Sequence, residues 1–179
     1  EGFDKLRAKL NDPLVRAKIR SEMETTDGWE NWYRHAGKDW SRIIIGQSGD
    51  KRYIALNGQS LADIAKASGE DPWDTFFNLV QSGAFALPET MTDANKILAM
   101  QQEFVSFCTD VGPSGGDQIA FHPRAFGSFP RLLSHYVRDL GAISLERAVA
   151  QASASAANNV LAYDRGRIAI GLAADVIVF

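Results

Sequence analysis

Few side chains in this sequence have the type and spacing that chemistry needs. The histidines His35, His122 and His135 are scattered, with no His-x-His or His-x-x-x-His pair, and Cys108 is the single cysteine. No group of three or four metal ligands can be assembled from them at recognisable spacing. There is no G-x-S-x-G, no phosphate-binding loop and no G-x-G-x-x-G. What remains is Asp110, which follows the apolar run Phe104-Val105-Ser106-Phe107-Cys108-Thr109. A carboxylate at the C-terminal end of a buried parallel strand stands where α/β barrels keep catalytic groups. The same aspartate could instead cap the loop that follows it through its own side chain. Further on, His122 and Arg124 flank Pro123, and an arginine there could form a fork against a carboxylate. Their alternative is a satisfied structural histidine beside a surface arginine. Ser48 and Arg52, in the polar loop after an earlier apolar run, could face a ligand or simply solvate that loop.

The elements that must position these residues can be read from caps and periodicity. Asn11-Asp12-Pro13 signals a helix start, and Leu14, Val15, Ile19 and Met23 follow at helical spacing, predicting one buried face over 13–24. Ile43-Ile44-Ile45 reads as a buried strand of the parallel α/β kind, closed by the loop Gly46 to Asp50. Ser60 caps a helix that stops at Gly69, and Asp71-Pro72 opens another whose Trp73, Phe76, Phe77 and Val80 belong to a core. Phe85-Ala86-Leu87 predicts a brief strand, and Thr92 caps a helix through Met100. The run 104–109 is the clearest strand, followed by a glycine-rich loop from Val111 to Phe121. A helix is expected after Ser128, ended by Gly141, and a second from Ser144 to about Ala157. The tail from Gly166 to Phe179 predicts one or two strands, and the alternation as a whole points to an α/β fold.

Bulk composition narrows the partners. The 179 residues carry 19 basic and 22 acidic side chains, a net charge of −3, too balanced to favour nucleic acid or an anionic membrane. No apolar run approaches the roughly 20 residues needed to span a bilayer. A lone cysteine excludes an internal disulfide framework and fits a reducing compartment, with the cytoplasm as the expected location.

Taken in order, these segments resemble the N-acyl-D-amino-acid deacylases (D-aminoacylases) of the amidohydrolase superfamily. The resemblance is carried by Thr109-Asp110, by the stretch from His122-Pro123-Arg124-Ala125-Phe126-Gly127 to Tyr136-Val137-Arg138, and by the ending Gly166-x-Ile168-x-x-Gly171-x-x-Ala174-Asp175. It extends to Asn11-Asp12-Pro13 and to Ser60-Leu61-Ala62-Asp63-Ile64-Ala65, and so covers nearly the whole chain. It implies the C-terminal part of a (β/α)₈ metallo-dependent hydrolase barrel over 1–163, with a terminal strand of the accompanying small β-sandwich over 164–179. It also implies Asp110 as the proton carrier of a metal-assisted amide hydrolysis and Arg124 as a contact for the substrate carboxylate; His122, Ser48 and Arg52 are further substrate-side candidates from their positions in the sequence alone. Zinc is the implied metal of the full-length family, with its ligands upstream of this segment and none in it. Thr109-Asp110-Val111-Gly112 departs from the family's small-residue-Asp-Gly, and the loop with Ser114-Gly115-Gly116 is longer than usual, which leaves substrate preference open.

The expected partners are therefore a small N-acyl amino acid and the missing N-terminal part of the same enzyme, with no nucleic acid and no membrane. About three barrel strands, near residues 43, 85 and 105, can be counted where a closed barrel has eight. The apolar end, Asp175 to Phe179, would expose an unpaired edge and invite oligomerisation if the chain stood alone. Two alternatives stand beside the deacylase reading. One is a cyclic amidohydrolase of the hydantoinase or dihydroorotase kind. The other is a non-catalytic folding or assembly module.

Overall fold

A computed structural model describes residues 2–111 and 122–179. The glycine-rich loop expected between Val111 and His122 lies, from 112 onward, outside the described residues. The chain forms two compact units, Glu1–Thr90 and Met91–Phe179.

In the first unit the predicted caps are present atom by atom. Asp12 opens helix α2 (Pro13–Thr25), after the short α1 (Gly2–Lys9), by accepting the Leu14 amide at 2.8 Å. Ser60 accepts the Asp63 amide at 3.1 Å to start α4 (Leu61–Ser68), and Gly69 ends that helix in the left-handed conformation, φ 67°. Asp71 does the same for the Trp73 amide at the head of α5 (Pro72–Ser82). A single turn, α3 (Trp32–His35), precedes the first strand. The core gathers Ile43, Ile45, Tyr53, Leu61, Ile64, Trp73 and Phe77, with Phe76 packed against it, so the apolar face of α5 is interior as expected. Tyr33 stacks on Trp40 with ring centres 4.3 Å apart, and Trp73 meets both edge-on. Burying each such side chain contributes about 1.5–3 kcal/mol. The face predicted for α2 is only partly buried: Ile19 and Met23 pack on this core, whereas Leu14 is exposed.

Two predicted strands form here, β1 (Ile43–Gln47) and β2 (Phe85–Pro88), but they pair antiparallel rather than as members of a parallel sheet. Ile44 faces Leu87 and Ile45 faces Ala86, with a bulge before the pair Gln47–Phe85. An apolar run identifies a strand but says nothing of its partner's direction.

The second unit departs further from expectation. The run 104–109 is not a strand among the described residues; Phe104 is exposed, and the run is tied by the Phe107 amide donating to the Gln151 carbonyl at 3.0 Å and by Asn159 Nδ2 donating to Ser106 Oγ at 3.0 Å. Likewise the tail from 166 onward forms no strand, and Ile168, Ile170 and Ile177 are almost fully exposed. Strands need a neighbour to take their hydrogen bonds, and none is present for either segment among the described residues. The helices fare better. Thr92 caps α6 (Asp93–Met100) through the Asn95 amide. The helix expected after Ser128 begins earlier, as α7 (Arg124–Arg131), and continues as wide π-type turns over Leu132–Asp139. Pro130 lies inside it; lacking an amide proton and crowding the preceding turn, proline favours such local widening. Gly141 ends this stretch with φ 58°. Ser144 caps α8 (Leu145–Ala152), and the predicted single helix is interrupted at Ser153 before α9 (Ala154–Asn159). Leu132, Tyr136, Ile143, Met100 and Ala148 form this unit's core.

Candidate active site

Asp110 stands at the end of the unpaired extended segment, not of a strand, with φ 50°. The left-handed region is uncommon for a side-chain-bearing residue, and aspartate is among those that tolerate it best. Its amide donates to the Cys108 sulfur at 3.3 Å, which closes the turn and directs the carboxylate outward. The carboxylate is 90% exposed. It therefore meets solvent rather than a hydrophobic interior.

Arg124 is brought to it by the start of α7. Its Nη2 donates to the Asp110 carbonyl at 2.5 Å and lies 3.2 Å from Oδ2 of the same residue. One guanidinium nitrogen thus holds both the backbone and the carboxylate of Asp110. Such a solvent-facing ion pair contributes about 0–1 kcal/mol, so a competing carboxylate can open it at little cost. The Arg124 Nε is buried and has no hydrogen-bond partner among the described residues. Ser128 Oγ donates to the Arg124 carbonyl at 2.8 Å and steadies the first turn.

His122 completes the group. Its Nδ1 accepts the Arg124 amide at 3.1 Å. Burial, and then the positive charge of Arg124, lower its pKa below the ordinary imidazole value and favour the neutral ring. A neutral imidazole that accepts at Nδ1 carries its proton on Nε2. Of the five residues singled out in the sequence, Asp110, His122 and Arg124 are thus brought together in the second unit.

Ser48 and Arg52 lie in the first unit, in the turn after β1. Ser48 is 2% exposed; its Oγ accepts the Asp50 amide at 3.1 Å and lies 3.2 Å from Ser82 Oγ. Arg52 forks Asp50, with its shortest contact 2.7 Å, and reaches Glu70 Oε1 at 3.1 Å. The hydrogen bond from Arg52 holds Asp50 below the usual carboxylate range, and the reciprocal contact raises Arg52. Glu70 also accepts from the buried Tyr53 hydroxyl at 2.6 Å and from Thr75 Oγ1 at 3.0 Å. Burial, then the bond to Glu70, raises the Tyr53 pKa. Glu70 and Tyr53 have no marking pattern in the sequence, and only the fold shows that they anchor this turn.

No group of three or more His, Cys, Asp and Glu side chains capable of holding a metal ion occurs among the described residues. None of the helices among them is long and apolar enough to cross a membrane.

Comparison with known proteins gives this geometry a context. No family model matches the chain. N-acyl-D-glutamate deacylase of Alcaligenes xylosoxydans xylosoxydans is 39% identical over 123 residues, 68% of this chain and 24% of that protein. D-aminoacylase of the same organism is 32% identical over 133 residues, 72% of this chain and 26% of that protein. The chain is a homologue of the N-acyl-D-amino-acid deacylases. Solved structures agree. An N-acyl-D-glutamate deacylase from Bordetella bronchiseptica, in complex with zinc and a phosphonate mimic of the tetrahedral intermediate, matches 77% of this chain with a TM-score of 0.61 and 28% identity. A D-aminoacylase described by its binuclear metal centre matches 75% with a TM-score of 0.58 and 29% identity. This deacylase homologue spans about a quarter of the length of the curated relatives it matches. The described residues of the homologue do not, by themselves, fit a zinc ion such as the Bordetella bronchiseptica enzyme holds.

Proposed function

We propose that this chain is the C-terminal part of an amidohydrolase that cleaves the amide bond of N-acyl-D-amino acids. Residues 1–163 would supply the last part of the (β/α)₈ barrel and 164–179 a strand of the β-sandwich. The zinc ligands would come from the missing N-terminal part of the same enzyme. The observation that carries the reading is the contact of Arg124 with Asp110, 3.2 Å apart in a chain whose relatives are deacylases. In hydrolysis, water adds its oxygen to the acyl carbon, the carbon–nitrogen bond breaks, and the amine leaves with a proton. Asp110 is suited to take the proton from water and hand it to the departing nitrogen, because its carboxylate is exposed and held at one edge only. Arg124 is suited to exchange that weak pair for the carboxylate of the substrate, leaving Asp110 unencumbered as the substrate arrives.

The test is a substrate panel. The full-length, zinc-loaded protein that carries this segment is assayed with N-acetyl-D-amino acids, their L-enantiomers and cyclic imides. Turnover of the D-acyl compounds is expected, with the L series far slower. Hydrolysis confined to cyclic imides, or none at all, would overturn the reading. The isolated 179-residue chain with added zinc is expected to be inactive, and real turnover by it would contradict the assignment of the ligands to another part of the enzyme.

A further inference from the structure

Three segments of this chain share one local design. Asp12-Pro13-Leu14 and Asp71-Pro72-Trp73 open α2 and α5 at their prolines, and His122-Pro123-Arg124 leads into α7, which starts one residue further along, at Arg124; in each the first side chain accepts the amide of the third residue. In the first two the acceptor is a carboxylate oxygen, at 2.8 Å in both. In the third it is imidazole Nδ1, at 3.1 Å. Proline in the second position has no amide proton to satisfy, so the third residue's amide is the first donor that needs a partner. The design explains the histidine's place. It does not by itself explain why a histidine stands where aspartate serves twice elsewhere.

The difference lies in what the capped residue does. Leu14 and Trp73 carry no charge, whereas Arg124 must direct its guanidinium to Asp110. A carboxylate at position 122 would cap the same amide equally well, but it would also compete with Asp110 for Arg124. We infer that His122 is a positioning residue: a neutral cap that fixes the backbone of Arg124 while leaving its guanidinium to Asp110 and, in turn, to the substrate carboxylate. This role is distinct from the direct substrate contact expected of His122 from the sequence. The inference rests on the reading of Asp110 as proton carrier and Arg124 as carboxylate anchor. That the Arg124 charge already acts on the imidazole supports the competition argument.

Three variants of the full-length, zinc-loaded enzyme separate this role from a merely structural one. Asparagine places Oδ1 where histidine has Nδ1, as a neutral acceptor, so His122→Asn is expected to keep kcat/KM within about threefold of the parent. His122→Asp keeps the cap and the melting temperature of the Asn variant, yet should lose on the order of tenfold in kcat/KM, mostly through KM. His122→Leu removes the cap and should lose both stability and activity. Equal activity of the Asp and Asn variants, or parent-like activity of the Leu variant, would overturn the inference. So would a nitrogen-15 spectrum of the full-length protein showing the His122 proton on Nδ1, a readout that holds even where a variant folds poorly. Asp110→Asn distinguishes the two levels. If that variant keeps its turnover, the reading of the site fails; if it is inactive while His122→Asp matches His122→Asn, only the role of His122 fails.

Discussion

The two units solve the same folding problem with different completeness. In Glu1–Thr90 the helices, the aromatic stack and both strands find partners: β1 hydrogen-bonds to β2, and Tyr53, Ile64 and Ala36 are fully buried. In Met91–Phe179 the helices form and share a small core around Leu132, but the apolar segments 104–109 and 166–179 form no strand and join no sheet among the described residues. The contrast follows from where hydrogen bonds go. A helix closes its own, so its cap and its apolar face suffice; a strand depends on a neighbour of matching length. The candidate active site belongs to the less complete unit, at the end of one of those unpaired segments. On the deacylase reading, the missing neighbours and the missing zinc ligands belong to the same further portion of the enzyme.

Substitutions in each unit test the difference between them. The largest effect is expected in the first unit's core: Ile64→Ala, at a fully buried site, should destabilise that unit by about 2–5 kcal/mol in urea unfolding. A loss near zero would mean that this core is not the cooperative one described. A cap costs less. Ser60→Ala removes the acceptor for the Asp63 amide and should cost about 1 kcal/mol, read by the same measurement. The second unit should instead show a pH dependence traceable to His122. Its folded pKa lies below the ordinary imidazole value, so the unfolded chain takes up the proton first. Stability should therefore fall as pH drops through the ordinary imidazole range, and stay unaffected by this group above it. His122→Asn should remove that part of the pH dependence, and an unchanged profile would count against the neutral cap. The smallest effect is expected at the tail: Ile170→Ser in the isolated chain should shift stability by less than about 0.5 kcal/mol, since the side chain is fully exposed. The same change in the full-length enzyme should cost more if the tail there gains a sheet partner.

The residues explain which parts of this were legible beforehand. Asp12, Ser60, Asp71, Thr92 and Ser144 announce helix starts because a capping hydrogen bond spans two or three residues and needs nothing distant. Trp73 and Phe77 announce the core by helical spacing. The antiparallel pairing of β1 with β2 was not legible, because Ile43-Ile44-Ile45 carries no sign of its partner. The run 104–109 looks like a strand for the same reason and lacks one here. At the candidate site, the residue types singled out in the sequence do meet, Asp110 with Arg124 and Arg124 with His122. Glu70 escaped notice because its role depends on Tyr53, Thr75 and Arg52 converging from separate places in the sequence. The hydrogen bond from the Arg124 amide to His122 has a sequence signal: Pro123 after His122 repeats the pattern of Asp12-Pro13 and Asp71-Pro72.

The central claim is that the Asp110 carboxylate moves the proton during amide hydrolysis. The direct measurement is single-turnover kinetics of the full-length, zinc-loaded Asp110→Asn variant on an N-acetyl-D-amino acid, with binding of a non-hydrolysable analogue measured alongside. Loss of at least about 100-fold in the chemical step with analogue binding retained is the predicted result. A variant that turns over at close to the parent rate would contradict the account.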